Sequence, residues 1–386
     1  MDDEIIQLSA SDFDEFIRFQ NRSFRYPPDR GLDWLVPTMY RPTAWHMQCN
    51  YAMRRNGAFA AIVGLYPITW HLGARTLRIA GIGGVSTEPA LRGTGLMSKM
   101  MIRIKQVIRD QGYPLSFLGG QRHRYRYFGW DRCGLSLKAH ISPACVKHRF
   151  AAAPPVRIHL EPAGECSPLL SDIRALHDQQ ARHCDRSAEQ FGAFLCQWGN
   201  HPIVAVGSDE EVAGYAILNR DETEVFELLG TDSDTILEIL RALSARRGPD
   251  PLTLVADGLP YDLRLDIASF AEKLSTADSG NWQVFDWPVT ISTLMSIRHE
   301  ERPLAAGSVV IGIDGEASAF RLTVDRSGPR CAATNDEPDV RADGPAMVQL
   351  LFGPWPPTQV MTLSNEASIL EAWCPLPLAI PKQDEV

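Results

Sequence analysis

The chain has 386 residues, of which 45% are hydrophobic and 22% charged, and a formal net charge of -9. That length exceeds one ordinary core, that mix excludes a chain dominated by disorder, and the acidic balance argues against nucleic acid while mildly favouring a cationic amine as partner. No apolar run approaches the roughly 18 residues of a spanning helix, and the opening Met1-Asp-Asp-Glu-Ile-Ile is the wrong start for a signal peptide, so a cytoplasmic protein with no membrane span is expected.

In chain order, Ser11 to Phe24 reads as a helix capped by Ser11, with Phe13, Phe16, Ile17 and Phe24 near one face. Asn56-Gly57 then marks a two-residue hairpin between Tyr51–Arg54 and the apolar run Ala58–Leu65, and Gly73 marks a second turn before Thr76–Thr87. Helical spacing returns from Gly95, where Met97, Met101, Ile104 and Ile108 share a side until Gly112 stops the helix, and Pro114–Gly120 reads as a strand. Ala151-Ala-Ala-Pro-Pro155 has the composition of a linker. Beyond it, strands at Ile203–Val206, Val212–Leu218 and Glu224–Leu229 and a helix at Thr235–Arg246 repeat the first unit's order. A third unit from Trp287 has strands Ser308–Ile313 and Ala317–Val324 around Asp314-Gly315, then a helix Pro345–Phe352 and a last helical piece at Ala367–Trp373. The expected units are 1–150, 151–287 and 288–386, all mixed α/β.

The 8 cysteines are scattered singly without a C-x-x-C pair, so reduced and mostly buried thiols are expected. His177, His183 and Cys184 lie close in sequence, but no second ligand pair answers them, and no metal is expected.

Chemistry concentrates in Gly83-Gly-Val-Ser-Thr-Glu-Pro-Ala-Leu-Arg-Gly-Thr-Gly-Leu-Met97. A strand ends at Thr87, Pro89 blocks its continuation, and Gly93 and Gly95 open a helix, so free backbone N–H groups converge where the helix dipole is positive and Arg92 adds a full charge. A pyrophosphate fits such a place. The spacing is neither the Walker loop nor a dinucleotide fingerprint, which disfavours ATP and NAD. A second stretch, Gln121-Arg-His-Arg-Tyr-Arg-Tyr-Phe-Gly-Trp-Asp131, interleaves basic and aromatic residues. Either Tyr125 or Tyr127 offers a phenol, protonated at neutral pH and able to donate a proton.

The first stretch resembles motif A of the GNAT acetyltransferase superfamily, and Tyr125 with Phe128, Gly129 and Trp130 resembles that family's Y-x-x-F-G-[YF] segment. Met97 in place of a small residue, and the three-part layout, look like the enhanced-intracellular-survival (Eis-type) branch. The resemblance implies tandem GNAT-like domains, the second without a cofactor loop, followed by a sterol-carrier-like domain, and a homo-oligomer, possibly a hexamer in that branch's usual form. It implies acetyl-CoA held by Val85, Thr87, Arg92, Gly93, Thr94, Gly95, Leu96 and Met97, with Tyr125 as general acid. It implies an acceptor, a small-molecule amine or a lysine side chain, lined by Phe24, Trp34, Gly83 and Gly84, the two glycines leaving room for a bulky ligand. It further implies that the α-carboxylate of Val386 reaches the active site; the tail Pro375–Pro381 is apolar and proline-stiffened, which suits a packed segment. The competing expectation is a lipid or acyl-CoA carrier that binds without turnover.

Overall fold

The structure, a computed structural model, describes residues 4–27 and 29–386; the acidic start Met1–Asp3 lies outside the described residues. Strand β1 (Glu4–Gln7) is followed by a 3₁₀ turn, Ala10–Asp12, and helix α1 (Phe13–Phe24). Ser9, rather than Ser11, stands at the helical start, its backbone N–H donating to Asp12 at 2.9 Å. Two short helices, α2 (Leu32–Leu35) and α3 (Ala44–Gln48), lead into β2 (Asn50–Arg55), β3 (Ala58–Leu72) and β4 (Arg75–Thr87). Asn56 and Gly57 both adopt positive φ, 52° and 80°, as the hairpin turn between β2 and β3 requires. Helix α4 (Leu96–Asp110) and β5 (Leu115–Leu118) complete the run, then α5 (Arg122–Tyr125), β6 (Asp131–Arg132) and β7 (Ser136–Ile141).

The first sheet has the order β1-β2-β3-β4-β5, then strand Asn281–Val284, then β6, with Arg182–Cys184 added beside β3. Its two faces follow the period of two along each strand. Met53, Val63, Leu65, Ala80 and Ile82 meet Met100, Ile104 and Ile108 of α4, while Ala52, Ile62 and Tyr66 meet Phe16 and Phe19 of α1 on the other face. The second sheet runs Lys273–Ala277, β7, Leu252–Val255, Glu224–Gly230, Val212–Leu218, His201–Val206, His159–Pro162. The third is Gly328–Thr334, Ala319–Asp325, Gly307–Ile313, Val340–Ala342, and helix Trp287–Glu301 packs into the same core.

Strand pairing and packing run across the boundaries expected between the units. The chain leaves the first sheet after β6, well ahead of residue 150, because β7 pairs with Leu252–Val255 and Lys273–Ala277. In return, Asn281–Val284 comes back to pair with β5. The third unit has no separate core either: Ile68, Trp70 and Phe117 of the first sheet share one cluster with Leu294, Val309 and Leu350. Among the described residues, no helix is long and apolar enough to cross a membrane, and the eight cysteines are unpaired.

Candidate active site

The strands β4 and β5 run parallel and pair from Ile79–Leu115 to Ile82–Leu118, where their register ends. β4 continues five residues further, to Thr87, still bonded to β3 on its other side. Between Gly83 and Thr87 its second edge therefore faces an opening instead of a strand, and backbone groups at Val85 and Thr87 are available to an extended ligand.

Pro89–Leu91 forms a 3₁₀ turn that redirects the chain from β4 into the loop before α4. Gly93 and Gly95 take φ of 81° and 82°, and a Cβ at either would meet nothing within 4 Å. Gly95 caps α4 with no side-chain bond, so the first-turn N–H groups from Leu96 onward remain for an anion at the positive end of a 15-residue helix. Arg92 and Thr94 are exposed beside them, and Arg92 makes no ion pair with a described residue. A diphosphate fits this loop: the dipole, the uncapped N–H groups, the open space over two glycines and a free guanidinium all favour it. Met97 is half-buried against the α4 core.

The second unit contrasts at the corresponding place. Its helix, Ser233–Arg247, is capped by Asp232, whose carboxylate accepts the Thr235 N–H at 2.7 Å. That hydrogen bond holds the Asp232 pKa below its usual value. A fixed carboxylate thus occupies the end that an anion would need.

Tyr125 ends α5, its ring against the chain at Gly120: a Cβ there would lie 3.2 Å from Cε2 and 3.9 Å from the hydroxyl. Burial raises its pKa, only partly opposed by Arg124, so the phenol keeps its proton through the neutral range. Phe128 and Trp130 anchor the segment in the α4 core, and Trp130 Nε1 donates to Ser116 Oγ at 3.1 Å. Tyr127 is 84% exposed, its ring edge-on to that of Phe128 with centroids 5.2 Å apart. Arg122 and Arg126 both bind the buried Asp131, which accounts for two charges of the basic run.

Of the remaining expected site residues, Phe24 ends α1 and Trp34 lies on α2, both exposed. The space beside Gly83 and Gly84 is not free. A Cβ on Gly83 would meet Met39 at 3.0 Å and the Val386 carboxyl carbon at 3.5 Å; one on Gly84 would meet Gln20 at 3.0 Å and the Tyr40 hydroxyl at 3.2 Å. The room expected for a bulky acceptor is filled by the chain itself. Val386 packs on the face opposite α4, at the seam between the α1 cluster and the large shared core, and its carbonyl oxygen lies 3.7 Å from a Cβ position on Gly119. Leu376, Leu378 and Ile380 are buried along the way.

Sequence reasoning missed a cavity of about 670 Å³ on this same side, bounded by Gly119, Gly120, His177, Asp257, Asn281 and Glu385 among others. Asn281 Nδ2 donates to the Leu118 and Gly120 carbonyls, each at 3.2 Å, which leaves its buried Oδ1 without a partner. His177 Nδ1 lies 2.9 Å from Asp178, leaving the buried Nε2 unpaired. Burial pushes the Asp257 carboxyl up to about 6 against the Leu137 N–H that it accepts. No spacing in the sequence signals this cavity, since its walls come from all three units. Elsewhere, His71, His183 and Asp185 bring ligand atoms within 4.8 Å of one another at a cross-strand pair.

Residues 4–133 match the family described as the acetyltransferase (GNAT) domain. No curated protein matches the sequence. Among solved structures, a GCN5-related N-acetyltransferase from Kribbella flavida is 17% identical, with a TM-score of 0.70 over 98% of this chain and 97% of that one. A probable N-acyltransferase from Enterococcus faecalis is 15% identical, with a TM-score of 0.71 over 99% and 98%. Eis1 from Mycobacterium abscessus is 16% identical, with a TM-score of 0.66 over 97% and 98%. At these identities the likeness is one of fold, extending over nearly the whole length of each chain.

Proposed function

We propose that this chain, an acyltransferase by its GNAT domain over residues 4–133, moves an acetyl group from acetyl-CoA to a primary amine. The observation that carries the reading is the uncapped start of α4 beside the open edge of β4, set against the carboxylate-capped helix of the second unit. Arg92 and the N–H groups from Gly93 to Met97 would hold the pyrophosphate, and backbone groups of Val85 and Thr87 the pantetheine arm. Acetyl-CoA supplies the activated acetyl thioester.

The chain's own residues do the rest. The cavity beside Gly119 and Gly120 receives the acceptor, because its unpaired Asn281 Oδ1 and His177 Nε2 and the Asp257 carboxyl all accept hydrogen bonds from an amine-bearing ligand. Phe24 and Trp34 are assigned to the outer approach, while Gly83 and Gly84 seat Val386, Gln20 and Tyr40. The Val386 α-carboxylate takes the ammonium proton, freeing the lone pair that forms the new C–N bond as the C–S bond breaks. Tyr125 gives its proton to the departing sulfur, and the second proton, which the nitrogen loses as the amide forms, restores the phenol. The eight unpaired cysteines suit a reducing compartment, in keeping with a cytoplasmic enzyme. The sterol-carrier likeness of residues 288–386 and assembly into an oligomer, as a hexamer, belong to the same reading; sedimentation of the full chain tests the latter.

The test is release of free thiol from acetyl-CoA across a panel of amines, with mass spectrometry of the product. Thiol release coupled to an acetylated amine supports the reading. Stoichiometric binding of acetyl-CoA with no release for any amine overturns it.

A further inference from the structure

The helix start of the second unit is capped by a carboxylate, yet the unit builds a buried, multiply bonded polar cluster, and the ligand of that cluster is the chain's own tail. Arg186 has no exposed side-chain surface. Its Nε and Nη2 reach the two oxygens of Asp384, each at 2.8 Å, and Nη1 and Nη2 reach Glu227 at 3.0 and 2.6 Å. The Tyr215 hydroxyl donates to the same Glu227. Burial pushes Glu227 up, but the charge and hydrogen bonds of Arg186 outweigh it and hold the carboxyl down to about 2.

The residue before Asp384 is held from every side. The Gln383 carbonyl accepts from Gln197 Nε2 at 2.5 Å, its side-chain oxygen accepts from Asn200 Nδ2 at 3.0 Å, and its amide donates to the Leu195 carbonyl at 3.2 Å and to that of Phe194. Gln197 also accepts the Thr38 hydroxyl at 2.6 Å, which ties this grip to the segment between α2 and α3 of the first unit.

Apolar groups of similar volume would secure a chain end at least as well as a buried guanidinium between two carboxylates, because desolvating the three charges offsets much of their attraction. What the planar, two-pronged arrangement adds is direction: it fixes a carboxylate in one plane and one register. Val386 lies two residues beyond Asp384, so the held point limits its reach to about 7 Å.

We infer that the second unit is a dock for the tail, and that Arg186, through Asp384, is a positioning residue that sets the Val386 carboxylate at the opening between β4 and β5. This rests on the reading of Val386 given above. It assigns a task to a unit whose helix start is closed to coenzyme A.

The experiment uses the full-length protein and three gentle variants: Arg186→Lys, which keeps the charge but loses the fork, Asp384→Asn, and Gln383→Ala, which removes no charge. Each is measured for acetyl-CoA binding by calorimetry, for kcat and KM across pH, and for the rate at which carboxypeptidase releases Val386. The expected result is unchanged acetyl-CoA affinity, Val386 released at least tenfold faster, kcat lowered about tenfold or more, and a shifted acidic limb of the kcat profile. Gln383→Ala gives the same direction even where a charge variant folds poorly. The dock inference is overturned by wild-type release rates, or by faster release with kcat and its pH profile unmoved. A wild-type chain extended by three glycines separates the two ideas. Full turnover in the extended chain sinks the role of the carboxylate itself, whereas lost turnover there with full kcat in the dock variants sinks only the dock.

Discussion

Gly83 and Val386 face each other: the Val386 carboxyl carbon stands 3.5 Å from the place where a Cβ on Gly83 would be. Residues 303 positions apart in sequence thus meet at the point where β4 loses its partner β5. Gly83→Val would push branched carbon atoms into Met39 and the Val386 carboxyl group. The expected outcome is a kcat lowered about tenfold with acetyl-CoA affinity within twofold of wild type, read by steady-state kinetics and calorimetry.

The cofactor loop is expected to respond in the opposite way. Arg92→Ala removes a charge-assisted contact of roughly 1.5 to 3 kcal/mol, so acetyl-CoA should bind about 10- to 150-fold more weakly. Gly95→Val forces a branched residue into a φ of 82° and covers the first-turn N–H groups, and should abolish measurable binding. Calorimetric affinities equal to wild type in both variants would remove the loop from the account.

Tyr125→Phe keeps the packing against Gly120 but not the proton, so kcat should fall about a hundredfold or more while acetyl-CoA affinity holds. Tyr127→Phe, on an 84% exposed side chain, should stay within twofold. The reverse pattern would transfer the donor role to Tyr127.

Asp257 supplies a pH test. Its carboxyl is raised from about 3.8 to about 6 in the fold, so the folded chain binds the extra proton between those values. Stability from this group is complete below about pH 4 and is lost as pH rises through 6. Asp257→Asn keeps an acceptor for the Leu137 N–H without the charge. It should be more stable than wild type at pH 8, by at most about 3 kcal/mol, with the difference closing near pH 4 in urea unfolding. An equal gap at both pH values would contradict the burial argument.

The legible parts of the fold were those written locally. Asn56-Gly57 announces its turn because both positions need positive φ, and Gly93 and Gly95 announce the start of α4 for the same reason. The segment from Tyr125 to Trp130 was legible because Phe128, Gly129 and Trp130 lie close in sequence and are fixed by one core. Strand partners distant in sequence were not legible. Neither β7 nor Asn281–Val284 is among the strands expected from the sequence, and a period of two carries no address, so their crossing between sheets could not be read. Contacts such as Arg186–Asp384, 198 residues apart, and the filling of the space beside Gly83 by Val386 depend on how the units close on one another.

Acetyl transfer at the β4–β5 opening is read out by free-thiol release from acetyl-CoA in the presence of amines. Catalytic release that requires an amine, yields an acetylated amine by mass, and disappears in Arg92→Ala at limiting acetyl-CoA is the expected result. Tight binding of acetyl-CoA or a longer acyl-CoA at one equivalent, with no thiol released for any amine, would instead make the protein a carrier.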